Sequence, residues 1–227
     1  MKTRILIMVL VSMISLVGCN DTAKLESDLE KQSYSYGFFI GDDLLNKKAD
    51  VNMPAFISGI KDGLNDTQKL SDEDIQEAFI ALEKSIKEKY ATEMAEKRVK
   101  NLEKSTSFLA ENKAKEGVFE LESGLQYKVL ATGKGKKPSA TDTVVVHYKG
   151  TLIDGTEFDS SVKRNQPATF KVNEVIPGWT QALQLMNEGS KWEIYLPPTL
   201  AYGPQGAGGL IGPNEALVFE VELLSVK

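Results

Sequence analysis

The sequence predicts an α+β protein, with helices in its N-terminal half and an antiparallel sheet in its C-terminal half. From residue 24 to residue 70, apolar side chains recur at helical spacing, as at Leu25 and Leu29. Residues 72–116 contain neither Gly nor Pro, the two residues that disfavour helix interiors most strongly. Beyond Gly117, apolar and polar residues alternate in short runs separated by Gly- and Pro-rich turns, a pattern typical of strands.

One long helix is expected over residues 71–116. Ser71 and Asp74 form a capping box at its start, and Gly117 is suited to end it. A helix of about 45 residues rises about 1.5 Å per residue, so its length is about 65 Å. Since its own domain cannot cover so long a helix, we expect a spacer, a surface for a partner, or both.

The part of the chain after Gly117 is expected to form a sheet with one short helix. The strands are predicted near residues 125–129, 144–148, 170–172, 192–196 and 217–224. The short helix fits at residues 179–186.

The composition argues against several kinds of catalytic site. The 227 residues include one histidine, His147, and one cysteine, Cys19. A zinc site takes about four His, Cys or carboxylate ligands, and one Cys cannot form a disulfide within the chain. His147 follows the apolar run at residues 144–146, which favours a packed strand histidine over a catalytic triad. We therefore expect no metal site.

The charge argues against general binding to nucleic acid, which depends on neutralising phosphates. The formal net charge is −5. Losing Lys2 and Arg4 with a leader would lower Lys and Arg from 27 to 25 against 32 Asp and Glu, giving −7. With 41% apolar residues, a chain of this length can bury a sizeable core and form two domains.

Residues 1–19 are expected to be a signal peptide. Lys2 and Arg4 precede the apolar residues 5–17, which are too few to span a bilayer. The tetrad LVGC at residues 16–19 resembles a bacterial lipobox, which implies cleavage before Cys19 and lipidation of its thiol. The alternative is an ordinary signal peptide with an incidental cysteine. We expect a lipid-anchored protein on the periplasmic side of the cell envelope, at the outer rather than the inner membrane.

Five motifs in the C-terminal half occur in a specific order. They are VVHYKG at 145–150, DGTEFDSS at 154–161, EVIPGW at 174–179, LAYG at 200–203 and ALVFEVELL at 216–224. In this order they resemble the FK506-binding-protein (FKBP) family of peptidyl-prolyl cis–trans isomerases. The resemblance implies a bent antiparallel sheet wrapped across one short helix, an activity without cofactors, and FK506-like macrolides as candidate ligands.

The whole arrangement resembles the macrophage infectivity potentiator group and its periplasmic chaperone relatives. The resemblance implies an N-terminal helical module at residues 20–70 that forms a homodimer. It also implies that a connecting helix at 71–116 separates isomerase domains at 117–227. The expected partners are proline-containing unfolded or nascent envelope proteins, and nucleic acid is not among them.

The family's pocket residues carry over to matching positions. Trp179 corresponds to the indole that forms the pocket floor. The apolar and aromatic walls correspond to Tyr148, Phe158, Val175, Ile176 and Phe219. Leu210 and Ile211 preserve an apolar flap. Ala168 and Ala207 depart from the pattern, because small FKBPs carry Phe at the first position and often His at the second. Plain core packing is the alternative role for Trp179 and Phe219.

The polar groups of the pocket carry over in the same way. The Tyr202 hydroxyl corresponds to a donor toward a substrate or inhibitor carbonyl, and the Ile176 N–H to a second donor. Asp159 corresponds to the carboxylate beside the reacting amide, and Arg164 to its partner in a network with Tyr148. A purely structural ion pair between Asp159 and Arg164 is the alternative. The residues expected to act in catalysis are Asp159, Tyr202, Ile176 and Trp179.

The chemistry of such a site follows from the proline peptide bond. Resonance raises the barrier to C–N rotation to about 18–20 kcal/mol. The twisted transition state has lost this resonance and carries less charge separation, so a dry apolar pocket disfavours the planar ground state more strongly. We expect an isomerase that assists folding of envelope proteins and also holds unfolded clients. The alternative is a non-enzymatic client-binding chaperone that uses the fold as a binding module.

Overall fold

The computed structural model describes residues 24–227, of which the first part is helical. The helices are α1 (Asp28–Asn46), α2 (Met53–Asn65) and α3 (Asp72–Asn112). The chain divides into two compact units between Leu82 and Glu83, within α3. The predicted leader and the predicted lipidation at Cys19 lie outside the described residues.

Each of these helices begins at a side-chain cap. At α1, Ser27 Oγ accepts from the Glu30 N–H at 3.2 Å, and the Glu30 carboxylate accepts from the Ser27 N–H at 2.8 Å. Asn52 caps α2 with its side-chain oxygen. The predicted capping box of α3 is confirmed, with bonds of 3.1 and 3.3 Å between Ser71 and Asp74. These caps supply acceptors to N–H groups that have none within the helix.

The described residues after α3 form a seven-stranded antiparallel sheet. Its strands are β1 (Val118–Glu120), β2 (Gln126–Ala131), β3 (Thr143–Leu152), β4 (Glu157–Ser160), β5 (Ala168–Lys171), β6 (Lys191–Leu196) and β7 (Leu217–Val226). The strand order is β1-β2-β6-β7-β3-β4, and β5 also pairs with β3. Helices followed by an antiparallel sheet confirm the predicted α+β class.

Helix α4 (Pro177–Leu185) packs on the sheet and completes the core of the C-terminal unit. It begins earlier than the predicted residue 179, because Pro177 has the fixed φ that suits the first turn of a helix. On β7, alternate residues point into the core, including Leu217, Phe219 and Val221. Because successive side chains of a strand point to opposite faces, one face of β7 packs against α4 and the other is partly exposed.

Helix α3 ends at Asn112, earlier than the predicted end at residue 116. Asn112 is buried, and its Nδ2 donates to Gln126 Oε1 at 3.0 Å. Gln126 Nε2 in turn donates to the Leu109 carbonyl at 2.8 Å. These contacts fix the last turn of α3 against the start of β2. Gly117, with a φ of 78°, therefore belongs to the connection into β1 and not to the helix end.

Helices α1 and α2 lie wholly within the described residues, and none of their side chains is buried. Phe39 is 69% exposed and Leu64 is 82% exposed. Within residues 24–227, no helix combines the length and the apolar character needed to cross a membrane.

Candidate active site

A cavity of about 590 Å³ opens in the C-terminal unit between α4, the sheet and the loop after Tyr202. It is lined by Tyr148, Phe158, Asp159, Phe170, Glu174, Val175, Ile176, Trp179, Tyr202, Ala207, Gly208, Leu210, Ile211 and Phe219. The cavity brings together every predicted pocket residue except Arg164. Arg164 reaches the wall from outside by bonding to Asp159.

Trp179 forms the floor of this cavity and is 4% exposed. Three rings meet its indole nearly at right angles. The centroid distances are 5.3 Å from Tyr148, 5.8 Å from Phe170 and 5.3 Å from Phe219. Edge-to-face contacts of this kind are favourable and hold the rings in one arrangement. The floor is therefore rigid, aromatic and shielded from water.

The start of α4 places Trp179 at the floor. Gly178 lets this turn approach β6 closely, because a Cβ at Gly178 would lie 2.4 Å from the Leu196 side chain. The Ile176 carbonyl accepts from the Trp179 N–H at 2.9 Å and closes the first turn. The Trp179 Nε1–H is buried and has no acceptor among residues 24–227.

Gly150 of β3 makes room for the aromatic wall opposite. A Cβ at this position would lie 2.6 Å from the Phe158 ring and 2.8 Å from the Phe219 ring. Those two rings cross edge to face with centroids 5.5 Å apart. The absence of a side chain at Gly150 thus allows both rings to pack over β3 and line the cavity.

A polar network closes one side of the cavity. The Tyr148 hydroxyl donates to one oxygen of Asp159, and Arg164 Nη1 donates to the other. Arg164 Nη2 also donates to the Tyr148 hydroxyl at 3.0 Å, and its guanidinium lies 5.8 Å from the centroid of that ring. The Asp159 carboxylate is therefore oriented by two donors at the cavity wall.

The network also sets the charge of its members. Burial opposes ionisation of Asp159, but hydrogen bonds from Tyr148 and Arg164 outweigh it, so the pKa of the carboxyl lies below its ordinary value. Burial, and secondly the bond to Asp159, raises the pKa of the Tyr148 hydroxyl. At neutral pH, Asp159 is ionised and Tyr148 keeps its proton.

Tyr202 stands at the cavity mouth, just before the pocket loop, which we define as residues 203–214. Within this loop, the Ala207 N–H donates to the Ile211 carbonyl at 2.9 Å, and the Ile211 N–H donates to the Ala207 carbonyl at 3.0 Å. Gly206 has a φ of 65°, and a Cβ there would lie 2.2 Å from the Ile211 carbonyl oxygen. The tight turn depends on this glycine and directs Ile211, which is 8% exposed, inward.

His147 takes no part in the cavity. It alternates with Tyr148 along β3, so it lies on the opposite face of the strand, and its Nδ1 is 3.0 Å from Ser161 Oγ. The interpretation of His147 as a packed strand histidine bonded to a neighbour is confirmed.

Four cavity residues were not among the predicted site residues: Phe170, Glu174, Ala207 and Gly208. Phe170 was assigned only to a strand, and the pairing of β5 with β3 is what carries its ring to Trp179. Glu174 belongs to the motif EVIPGW, and its carboxylate pairs with Lys171 at 2.9 Å. Position within a motif could have identified Glu174, whereas the contact of Phe170 depends on strand pairing.

Comparison with known proteins gives a consistent result. The family model of FKBP-type peptidyl-prolyl cis–trans isomerases matches residues 134–224, and that of the domain amino-terminal to such isomerases matches residues 29–129. The chain is 45% identical to the Outer membrane protein MIP of Legionella longbeachae over 95% of this chain and 93% of that protein. It is 42% identical to the peptidyl-prolyl cis–trans isomerase Mip of Coxiella burnetii over 100% of this chain and 99% of that protein.

Comparison of the fold with solved structures points to the same family. The crystal structure of FkpA from Escherichia coli matches with a TM-score of 0.73 and 37% identity, covering 90% of this chain and 99% of that one. Identity at this level over nearly the full length, together with the aromatic cavity, leads to one assignment. The chain belongs to the FKBP-type peptidyl-prolyl cis–trans isomerases and is an enzyme of that activity.

Proposed function

We propose that the chain isomerises X-Pro bonds of unfolded envelope proteins in the cavity above Trp179. The observation that supports this proposal most directly is the cavity floor. There the Trp179 indole is almost inaccessible to solvent and is enclosed by three aromatic rings. A proline ring resting on this floor loses contact with water, and so does its peptide bond. The planar amide, which has the larger charge separation, is then disfavoured relative to the twisted one.

Two donors are proposed to select the twisted form. Tyr202 lines the cavity and is 40% exposed, so its hydroxyl is available to donate to a substrate carbonyl. Ile176 caps the start of α4, and N–H groups at such an end have no intrahelical acceptor. A hydrogen bond that is stronger to the carbonyl of the twisted transition state than to that of the planar ground state lowers the barrier to rotation.

Asp159 is proposed to act as a fixed negative charge beside the reacting amide. Its pKa is lowered and its two oxygens are held by Tyr148 and Arg164, so it is ionised and correctly oriented before substrate binds. Arg164 serves this role through Asp159 without lining the cavity. A carboxylate that only maintained the wall would contribute to stability and much less to the rate.

We further propose that the chain forms a homodimer through residues 20–70 and holds unfolded clients there. The support is the large amount of apolar side chain that α1 and α2 leave in water, as at Phe39 and Leu64. Holding of clients is proposed in addition to isomerisation, not in its place. The boundaries at residues 70 and 117 are proposed as the limits of the dimer module and of the isomerase domain.

The proposed location is the cell envelope, with an anchor of lipid on Cys19 at the periplasmic side of the outer membrane. The support is the LVGC tetrad at residues 16–19 and the name of the Legionella longbeachae relative, an outer membrane protein. FK506-like macrolides are proposed ligands of the same cavity. Ala168 leaves less aromatic wall than a phenylalanine would, so their affinity is a separate question from activity.

The roles of the cavity residues are tested by isomerisation of a short X-Pro peptide. Tyr202→Phe, which removes one hydroxyl, is expected to lower kcat/KM by about twofold to tenfold, the usual range for one hydrogen bond. Trp179→Ala is expected to abolish most activity, and Trp179→Phe to retain part of it because a ring still covers the floor. Circular dichroism checks the fold of each variant. Folded variants with unchanged activity would place catalysis elsewhere.

A further inference from the structure

Helix α3 contacts both ends of the pocket loop. At the first end, Arg98 Nε donates to the Pro204 carbonyl at 3.1 Å. At the second end, Asn101 Nδ2 donates to the Pro213 carbonyl at 2.9 Å, and Asn214 Nδ2 donates to the Arg98 carbonyl at 3.1 Å. The two ends of the loop are thus bonded to the same stretch of helix.

Ser105 adds a double contact at the second end. Its hydroxyl donates to the Asn214 carbonyl at 2.9 Å and accepts from the Ala216 N–H at 2.7 Å, where β7 is about to begin. Ser105 is fully buried. Residues spaced by three and four share a helix face, so Arg98, Asn101 and Ser105 form one polar stripe toward the loop.

The loop between these contacts is rich in glycine, and backbone hydrogen bonds between Ala207 and Ile211 close its tip. Its residues include Gly206, Gly208, Gly209 and Gly212, of which the first three have a positive φ. Glycine-rich segments lose a large conformational entropy when they become ordered. The loop nevertheless supplies Ala207, Gly208, Leu210 and Ile211 to the cavity. Contacts that order it in advance reduce the cost of binding a substrate there.

The close approach of loop and helix is visible at Gly212. A Cβ at this position would lie 3.0 Å from Asn101 Nδ2, which is tighter than ordinary contact. The amide of Asn101 is therefore packed against the loop as well as bonded to Pro213. A residue at position 101 whose side chain has no N–H donor leaves the Pro213 carbonyl with no hydrogen-bond partner on α3.

We propose that Asn101 and Ser105 are positioning residues of the isomerase: they hold the pocket loop from α3 so that the cavity is formed before substrate binds. This rests on the proposed role of the cavity as the substrate site. Neither residue touches the cavity, and both act through the loop. The network of Tyr148, Asp159 and Arg164 lies on and next to β3 and β4, so losing the loop contacts raises KM more than it lowers kcat.

The test compares Asn101→Ala and Asn101→Asp with Glu103→Ala in the full-length protein. Asp keeps the size of Asn but cannot donate, and Glu103 is exposed on a different face of α3. For a short X-Pro peptide, both Asn101 variants are expected to raise KM by about threefold to tenfold, the value of one lost hydrogen bond. Their kcat is expected to change by less than about twofold, and Glu103→Ala to behave as wild type.

Amide hydrogen exchange of the substrate-free proteins gives a second readout, independent of activity. Residues 206–212 are expected to exchange faster in both Asn101 variants and at the wild-type rate in Glu103→Ala. Unchanged exchange and KM in the Asn101 variants would overturn the proposal. Faster exchange with unchanged KM would overturn its substrate role, and equal effects of Glu103→Ala would overturn the specific role of the Asn101 contact.

The two proposals fail in different ways. A folded wild type whose isomerisation is insensitive to Tyr202 and Trp179 would reject the cavity as the substrate site. The exchange experiment would still decide whether Asn101 holds the loop. A cavity confirmed by those two residues, together with an unaltered KM in both Asn101 variants, rejects only the positioning role.

Discussion

The two compact units differ in how far their apolar side chains are exposed to solvent. In the C-terminal unit, residues such as Leu217, Val221 and Leu223 are at most 1% exposed and form one core with α4. In α1 and α2 no side chain is buried. A unit stabilised by its own core can fold alone, whereas helices with exposed apolar faces need another surface to cover them. The difference supports the proposal that catalysis resides in one unit and association in the other.

Helix α3 takes part in both units, since the division falls between Leu82 and Glu83. Its later residues, from Arg98 to Asn112, contact the catalytic unit through several polar side chains. Phe108 adds one aromatic contact, with its centroid 6.2 Å from that of Tyr195. The expectation that the far end of this helix lacks cover is therefore wrong for these residues.

Deleting residues 20–70 should produce the largest separation of the two roles. We expect a monomer by light scattering, because the exposed apolar helices are removed. Isomerisation of a short peptide should be close to wild type, because the residues of α3 that hold the pocket loop are kept. Catalysis of refolding of a whole protein should fall by about tenfold or more, as expected when a second binding site is lost. A truncated protein that still dimerises would contradict the assignment.

Substituting alanine for one glycine in each unit sharpens the contrast. Gly150→Ala forces a Cβ to within 3 Å of two cavity rings, so we expect loss of most peptide activity and a destabilisation of about 1–3 kcal/mol. Gly59→Ala in α2 meets no atom within 4 Å and should leave peptide activity unchanged. Urea unfolding and peptide isomerisation measure both effects. Equal losses of activity in the two variants would show that catalysis depends on both units.

The sequence predicted the catalytic unit better than the long helix, for a physical reason. Cavity residues such as Trp179 and Tyr202 lie in ordered motifs, and strand alternation predicts which side chains point inward. The contacts of Asn101 and Ser105 are to backbone carbonyls and N–H groups of a loop, and such contacts leave no apolar period in the sequence. They require knowledge of where residues 203–216 pass in the fold.

The end of α3 was misplaced for the same reason. Local preference allows the helix to continue to Gly117, because residues 72–116 contain neither Gly nor Pro. The pairing of Asn112 with Gln126 is a tertiary contact that fixes the last turn earlier. Similarly, the sequence pattern predicts that Phe170 lies in a strand. It does not predict that this strand pairs with β3, which brings the Phe170 ring to Trp179.

A change of pH should affect the two units differently through Asp159. Burial opposes ionisation of Asp159, but the bonds from Tyr148 and Arg164 leave its pKa lowered in the folded state. The carboxylate therefore stabilises the fold above the unfolded-state pKa of about 3.9, and this contribution is lost as the pH falls through the lower folded-state value. Asp159→Asn should remove that dependence.

Urea unfolding of wild type and Asp159→Asn from pH 7 to pH 3 measures this effect. The stability difference between them should be constant from about pH 5 to pH 7 and should shrink below about pH 4. A difference that grows with acid would mean that the folded-state pKa of Asp159 is raised and that burial dominates. The dimer, measured in parallel by light scattering at pH 5 and pH 7, should be unaffected by this substitution.

Arg164→Lys should give the smallest effect of the series. Arg164 is about half exposed, so solvent screens its ion pair with Asp159 and the pair contributes little to stability. Lysine keeps the charge but cannot bond to Asp159 and to the Tyr148 hydroxyl in one planar arrangement. We therefore expect kcat/KM for a short peptide to fall by about twofold to threefold, with little change in the free energy of unfolding. Lys163→Ala, which removes an ion pair between the exposed Lys163 and the half-buried Glu157 at 2.9 Å, should leave kcat/KM unchanged. Equal effects of the two substitutions would mean that the bonds of Arg164 to Asp159 and Tyr148 have no specific role in catalysis.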